Sequence, residues 1–109
     1  MKKTKRATLE ANGWRFGTAA DFLKLTPEEA AFVETKLALS QSVRHRRQAQ
    51  GLSQAALAKR LASSQSRVAK IEAADATVSI DLLVRALFAL GAKPRDVASA
   101  IRKGRSWAV

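Results

Sequence analysis

Residues 51 to 72, GLSQAALAKRLASSQSRVAKIE, constrain the fold more than any other stretch of this chain. Ser53 stands where a first short helix can begin, with Gln54, Ala55, Leu57, Ala58 and Leu61 following. Ser64 stands at the start of a second, in which Val68 and Ile71 turn inward while Gln65, Ser66, Arg67 and Lys70 point out. A serine oxygen at each position satisfies an orphan backbone N–H, which fixes where each helix starts. Between them, Leu61-Ala62-Ser63-Ser64 leaves space for a tight turn only. It contains no glycine, so either an alanine or serine there takes a less comfortable backbone conformation or the turn is slightly different.

Charge narrows what such a pair can do. The chain carries 20 Lys and Arg against 9 Asp and Glu, a formal net charge of +11. That excess predicts attraction to polyanions, nucleic acid foremost. Its placement is more telling. Between residues 35 and 71 there are eight bases (Lys36, Arg44, Arg46, Arg47, Lys59, Arg60, Arg67 and Lys70) and no acid until Glu72. A surface that is only solvated mixes its signs. A short helix bearing amides and cations, braced by a smaller partner, has the shape that enters a DNA major groove.

Other classes fall away. With no cysteine the chain has no disulfide framework, no thiolate zinc site and no cysteine nucleophile, which suits a reducing cytoplasm. His45 is the only histidine, set among Arg44, Arg46 and Arg47, and reads as a helix-surface residue. One histidine builds neither a metal cluster nor a Ser–His–Asp arrangement, and no Gly-rich phosphate loop is present. No enzyme activity, metal or cofactor is expected. No run of about 18 apolar residues offers a membrane span, and the basic start is not followed by the apolar core of a signal peptide.

The rest of the chain reads as helix. Thr26-Pro27-Glu28-Glu29 is a start signal, with a capping threonine, proline at the first helical position and Glu29 at capping-box spacing. From there Ala30, Val33 and Leu37 recur at intervals of three and four, widened by Phe32, Leu39 and Val43, until Gly51 closes the pattern. So long a helix is expected to bend or break near Ser40-Gln41-Ser42. Residues 73 to 78 read as a loop, and Ser79 caps a helix from Ile80 to Leu90 closed by Gly91. Lys93-Pro94-Arg95-Asp96 opens a last amphipathic helix that Gly104 stops.

Three segments follow: an N-terminal extension over 1–25, a DNA-binding domain over 26–103 and a tail over 104–109. In the extension, Thr8 to Asn12 is read as a short helix rather than as half of a hairpin turning at Asn12-Gly13. Thr18 then caps a turn that places Phe22 and Leu23 on the core, with Trp14 and Phe16 packed in a core or interface.

Gly51-Leu52-Ser53-Gln54, Leu57-Ala58 and Ser66-Arg67-Val68-Ala69-Lys70-Ile71-Glu72 together resemble the Cro/phage-repressor (XRE-type) helix-turn-helix family, over about residues 37 to 90. Gly13-Trp14, Phe22-Leu23 and Pro27-Glu28-Glu29, ahead of a long first helix, resemble compact HigA-like antitoxins. The resemblance implies an all-α, five-helix, lambda-repressor-like DNA-binding domain with a short N-terminal helical extension. It implies that Gln54 reaches a DNA phosphate, that Ser64, Gln65, Ser66 and Lys70 face DNA, and that Arg67 flanks them. It also implies that Arg47 and Glu72 form a buried pair tying the first helix to the end of the recognition helix. The residues add a reason of their own, because Glu72 ends a long basic stretch and a partner for it is nearly forced.

A module this small offers little reading surface, so a homodimer on double-stranded DNA with a palindromic operator is expected. Leu83, Leu87, Phe88 and Trp107 are candidates for its interface. The resemblance further implies an antitoxin that represses its own operon and blocks a RelE-like toxin. Two alternatives stand beside it: a stand-alone or phage-type repressor, and an RNA-associated basic protein. The last is disfavoured because no aromatic residue lies between Phe32 and Phe88 to stack bases.

Overall fold

A computed structural model describes residues 24–104. The expected short helix at 8–12, the turn after Thr18 and the tail with Trp107 lie outside the described residues. Among the described residues the protein is all α, with five helices and no strand: α1 Pro27–Ala49, α2 Gln54–Arg60, α3 Gln65–Glu72, α4 Ile80–Ala89 and α5 Pro94–Gly104. Helix α1 is the spine. It packs against α3, α4 and α5, while α2 packs on α3.

Each start signal works as the side chains dictate. Thr26 and Glu29 form a reciprocal capping box, the Glu29 N–H donating to Thr26 Oγ1 at 3.2 Å and the Thr26 N–H to Glu29 Oε1 at 2.7 Å. Ser53, Ser64 and Ser79 accept from the N–H groups of Ala56, Arg67 and Leu82 at 3.0 to 3.1 Å. Asp96 caps α5 instead, accepting the Lys93 N–H at 2.8 Å; that bond holds its carboxyl below the usual range.

The expected break in α1 does not occur. The helix runs unbroken through Ser40-Gln41-Ser42 because that segment is clamped on the core. Leu39, Ser40 and Val43 are almost fully buried, and packing of this kind overrides a weak local propensity. Phe32 departs from the expected apolar stripe as well. It is 45% exposed, with the Lys36 ammonium 5.9 Å from its ring centroid one turn on. The main core joins Leu39 and Val43 of α1, Leu57 of α2, Val68 and Ile71 of α3, and Leu83 and Leu87 of α4. Each such side chain contributes about 1.5–3 kcal/mol by leaving water. Leu83 and Leu87 are therefore core and not interface residues, since their exposure is 0% and 1%.

Four helices end in the same way. After α1, α2, α3 and α4 the chain takes a left-handed residue, and two N–H groups fold back onto the last free carbonyls. In α2 the Ala62 N–H bonds Lys59 O at 3.2 Å and the Ser63 N–H bonds Ala58 O at 2.8 Å. Glycine fills the left-handed position after α1 and α4, at Gly51 and Gly91. Alanine fills it after α2 and α3, with φ of 51° at Ala62 and 54° at Ala74. The glycine-free turn thus keeps the expected geometry and bears the strain at Ala62.

One polar cluster fixes how α3 sits on α1. Arg47 Nε and Nη2 donate to Glu72 Oε2 and Oε1 at 2.5 and 3.0 Å, a bidentate pair whose side chains are 12% and 5% exposed. The Arg47 Nη1 group donates to Leu52 O at 2.7 Å, and Gln54 Nε2 to Glu72 Oε1 at 3.2 Å. The hydrogen bond to Glu72 raises the Arg47 pKa further above its ordinary value, so the guanidinium stays charged.

Two stability predictions follow from these contacts. Glu72→Ala strands a desolvated guanidinium and is expected to destabilise the fold by about 3–5 kcal/mol in chemical denaturation. A midpoint within error of the parent would show that the pair does no structural work. Ala62→Gly relieves about 1–2 kcal/mol of left-handed strain but restores about 0.4–1 kcal/mol of chain entropy to the unfolded state. Its thermal midpoint is expected to rise, and a fall would contradict the strain.

Candidate nucleic-acid interface

Helix α3 divides cleanly into two faces. Val68 and Ile71 have no exposed surface, while Ser64, Gln65, Ser66, Arg67, Ala69 and Lys70 are all exposed. At about 100° per residue, Ser66, Ala69, Lys70 and Ala73 lie opposite the buried pair, with Gln65 and Arg67 on the flanks. Every residue of α3 expected to face DNA is therefore at the surface. Among the described residues neither Arg67 nor Lys70 is held in an ion pair.

Ser64, expected to face DNA, and Gln54, expected at a phosphate, carry structural duties too. Ser64 Oγ accepts the Arg67 N–H, which leaves its own hydroxyl proton to donate. Gln54 is half-buried and spends one amide hydrogen on Glu72, keeping the second available. Gln54 therefore joins the Arg47–Glu72 pair as well as the outer surface, a link its sequence position did not announce.

The basic stretch is sorted by the fold. Arg44, Lys59, Arg60, Arg67 and Lys70 are exposed. Arg47 is committed to Glu72, and Arg46 lies 3.5 Å from Asp96 across the α1–α5 contact. Lys36 is 3% exposed, and its ammonium donates to Ala76 O at 3.4 Å, in the loop after α3. Burial pushes its pKa down, with the Asp75 charge partly opposing. It belongs to the frame rather than to the basic surface that the sequence suggested.

The loop itself is not basic. Asp75 accepts from the Thr77 hydroxyl at 2.7 Å and the Thr77 N–H at 2.9 Å, bonds that hold its carboxyl below the usual range. His45 is exposed on α1, as expected of a helix-surface residue, and borders a groove of about 600 Å³ between α1 and α5. Among the described residues no helix is long and apolar enough to cross a membrane.

A family model described as the helix-turn-helix domain matches residues 38–107, well over half of the chain. No curated protein and no solved structure matches it. The matched segment spans the second half of α1, the two short helices with their turn, and the two helices that close the core. On these grounds the chain belongs to the helix-turn-helix domain family.

Proposed function

We propose that this chain is a sequence-specific DNA-binding transcriptional regulator that acts as a homodimer on a palindromic operator. One observation carries the reading: the outward face of α3 presents Gln65, Ser66, Arg67 and Lys70 with no acid among them and two alanines keeping its surface low. Glutamine pairs bidentately with adenine and a cation with guanine O6 and N7, each giving about 1–3 kcal/mol of discrimination. Ser64 and Gln54 are suited to phosphates, which set register without reading sequence.

Dimerisation follows from size. Eight residues of α3 extend roughly 12 Å at 1.5 Å per residue, enough for a few base pairs. Two copies related by a two-fold axis would place their recognition helices one DNA turn apart, about 34 Å. Phe88, 46% exposed on α4, with Val84 half-buried one turn earlier, supplies apolar surface for a second copy.

The finer reading is an antitoxin that represses its own operon and captures a RelE-like toxin. Its support lies in sequence ahead of the matched domain, where Leu9, Trp14, Phe16, Phe22 and Leu23 supply more apolar side chains than the described core calls for. Apolar anchors of this kind are what a partner surface uses.

Binding to a randomised operator set tests the regulator. Gln65→Ala or Lys70→Ala is expected to relax preference at particular base pairs, whereas Gln54→Ala weakens all sequences alike. Identical preference profiles in both α3 variants and the parent would remove α3 as the reader. Deletion of residues 1–16 tests the antitoxin. It should leave operator affinity within about tenfold, about 1.4 kcal/mol, and abolish co-purification with a RelE-like toxin. Loss of DNA binding with toxin capture intact would make that segment a DNA arm instead.

A further inference from the structure

We propose that the cleft between α1 and α3 holds a DNA phosphate on Arg44, a contact beyond those assigned to α3 and to Gln54. The proposal rests on the DNA-binding reading above and adds where the backbone is gripped. The cleft measures about 310 Å³ and is lined by Arg44, Arg47, Gln54, Ala69, Glu72 and Ala73. Arg44 and Arg47 are three residues apart and face α3 together. His45, Arg46 and Ala49 face the other way and border the α1–α5 groove.

The charges in the cleft leave one cation uncompensated. Both Glu72 oxygens are taken, one by Arg47 Nε and the other by Arg47 Nη2 and Gln54 Nε2. Arg44 is exposed and forms no ion pair among the described residues, so the cleft offers a guanidinium and the second Gln54 amide hydrogen to an incoming anion. A guanidinium fork matches the oxygens of a phosphate diester. Its walls on the α3 side are the methyl groups of Ala69 and Ala73, which leave the approach from the reading face unobstructed.

The opposite side of the same helix end points in the same direction. Residues 73–79, AADATVS, contain no Lys or Arg and one carboxylate, Asp75, which its Thr77 hydrogen bonds keep ionised. The cations near Asp75 are Lys36, buried against the loop, and Lys70 of the reading face, so a phosphate passing the C-terminal end of α3 meets no exposed cation on the loop itself and one on the Arg44 side. Arg44 is thus a backbone anchor at the end of the recognition helix that the loop leaves without one.

Arg44→Ala, Arg44→Gln, Arg44→Lys and, as a control on α5, Arg102→Ala can be compared on a randomised duplex set across a salt series, with the thermal midpoint of each variant. Both neutral variants should bind every sequence about tenfold more weakly at about 0.1 M salt, with log K against log salt shallower by about 0.9 per half-site. Preferences and thermal midpoints should stay unchanged, Arg44→Lys should retain the slope, and Arg102→Ala should match the parent. Parental affinity and slope in both neutral variants would overturn the cleft contact while leaving the regulator intact. A loss confined to particular base pairs would make Arg44 a base reader and overturn the phosphate assignment. Failure of the parent to bind any duplex would instead overturn the DNA-binding reading, and this proposal with it.

Discussion

Where α1 and α3 come to their C-terminal ends, the Arg47 guanidinium and the Glu72 carboxylate meet in a nearly dry contact, and the geometry of the helix-turn-helix depends on it. Val68 and Ile71 fix how deeply α3 sinks into the core, but apolar contacts tolerate rotation and sliding. A bidentate pair of planar groups tolerates neither. Because Arg47 also holds Leu52 O and Glu72 also holds Gln54, the turn before α2, the start of α2 and the end of α3 share one ion pair. Such a pair adds little net stability after its desolvation is counted. Its value is registration, setting the angle at which Gln65, Ser66 and Lys70 leave the surface.

Pairing and burial of this kind make net charge a poor guide to the cations the fold leaves at the surface. Of the eight bases between residues 35 and 71, Lys36 is buried beneath the loop and Arg47 is neutralised. Arg46 is drawn toward Asp96. The five that remain exposed include Arg67 and Lys70 on α3 and Arg44 beside it. Electrostatic attraction at a distance depends on the whole total, but contacts depend on this smaller set.

Much of this order is legible in the residues. Thr26, Ser53, Ser64 and Ser79 each announce a helix start by chemistry that acts within three residues, and each caps as expected. The inward pair on α3 and its outward amides and cations follow from helical spacing alone. What sequence could not disclose depends on contacts far apart in the chain. The continuity of α1 through Ser40 is imposed by helices that come later. The withdrawal of Lys36 requires a loop forty residues on, and the seclusion of Leu83 and Leu87 requires the closing of the core. Arg44 belongs to the same class. Nothing local distinguishes it from Arg46, because the difference lies in which neighbour each side of α1 faces.

The two alanines in left-handed conformation bracket α3, one just before it and one just after, whereas the helices that form the frame end on glycine. Strain of order 1 kcal/mol at each boundary is released when the segment between them opens locally, while the frame remains folded. The amides of α3 are therefore the ones to exchange with solvent deuterium through sub-global opening, ahead of those of α1 and α4. Any ligand that covers α3 must draw on its binding free energy to suppress that opening, so its footprint is visible as slowed exchange as well as in direct contacts.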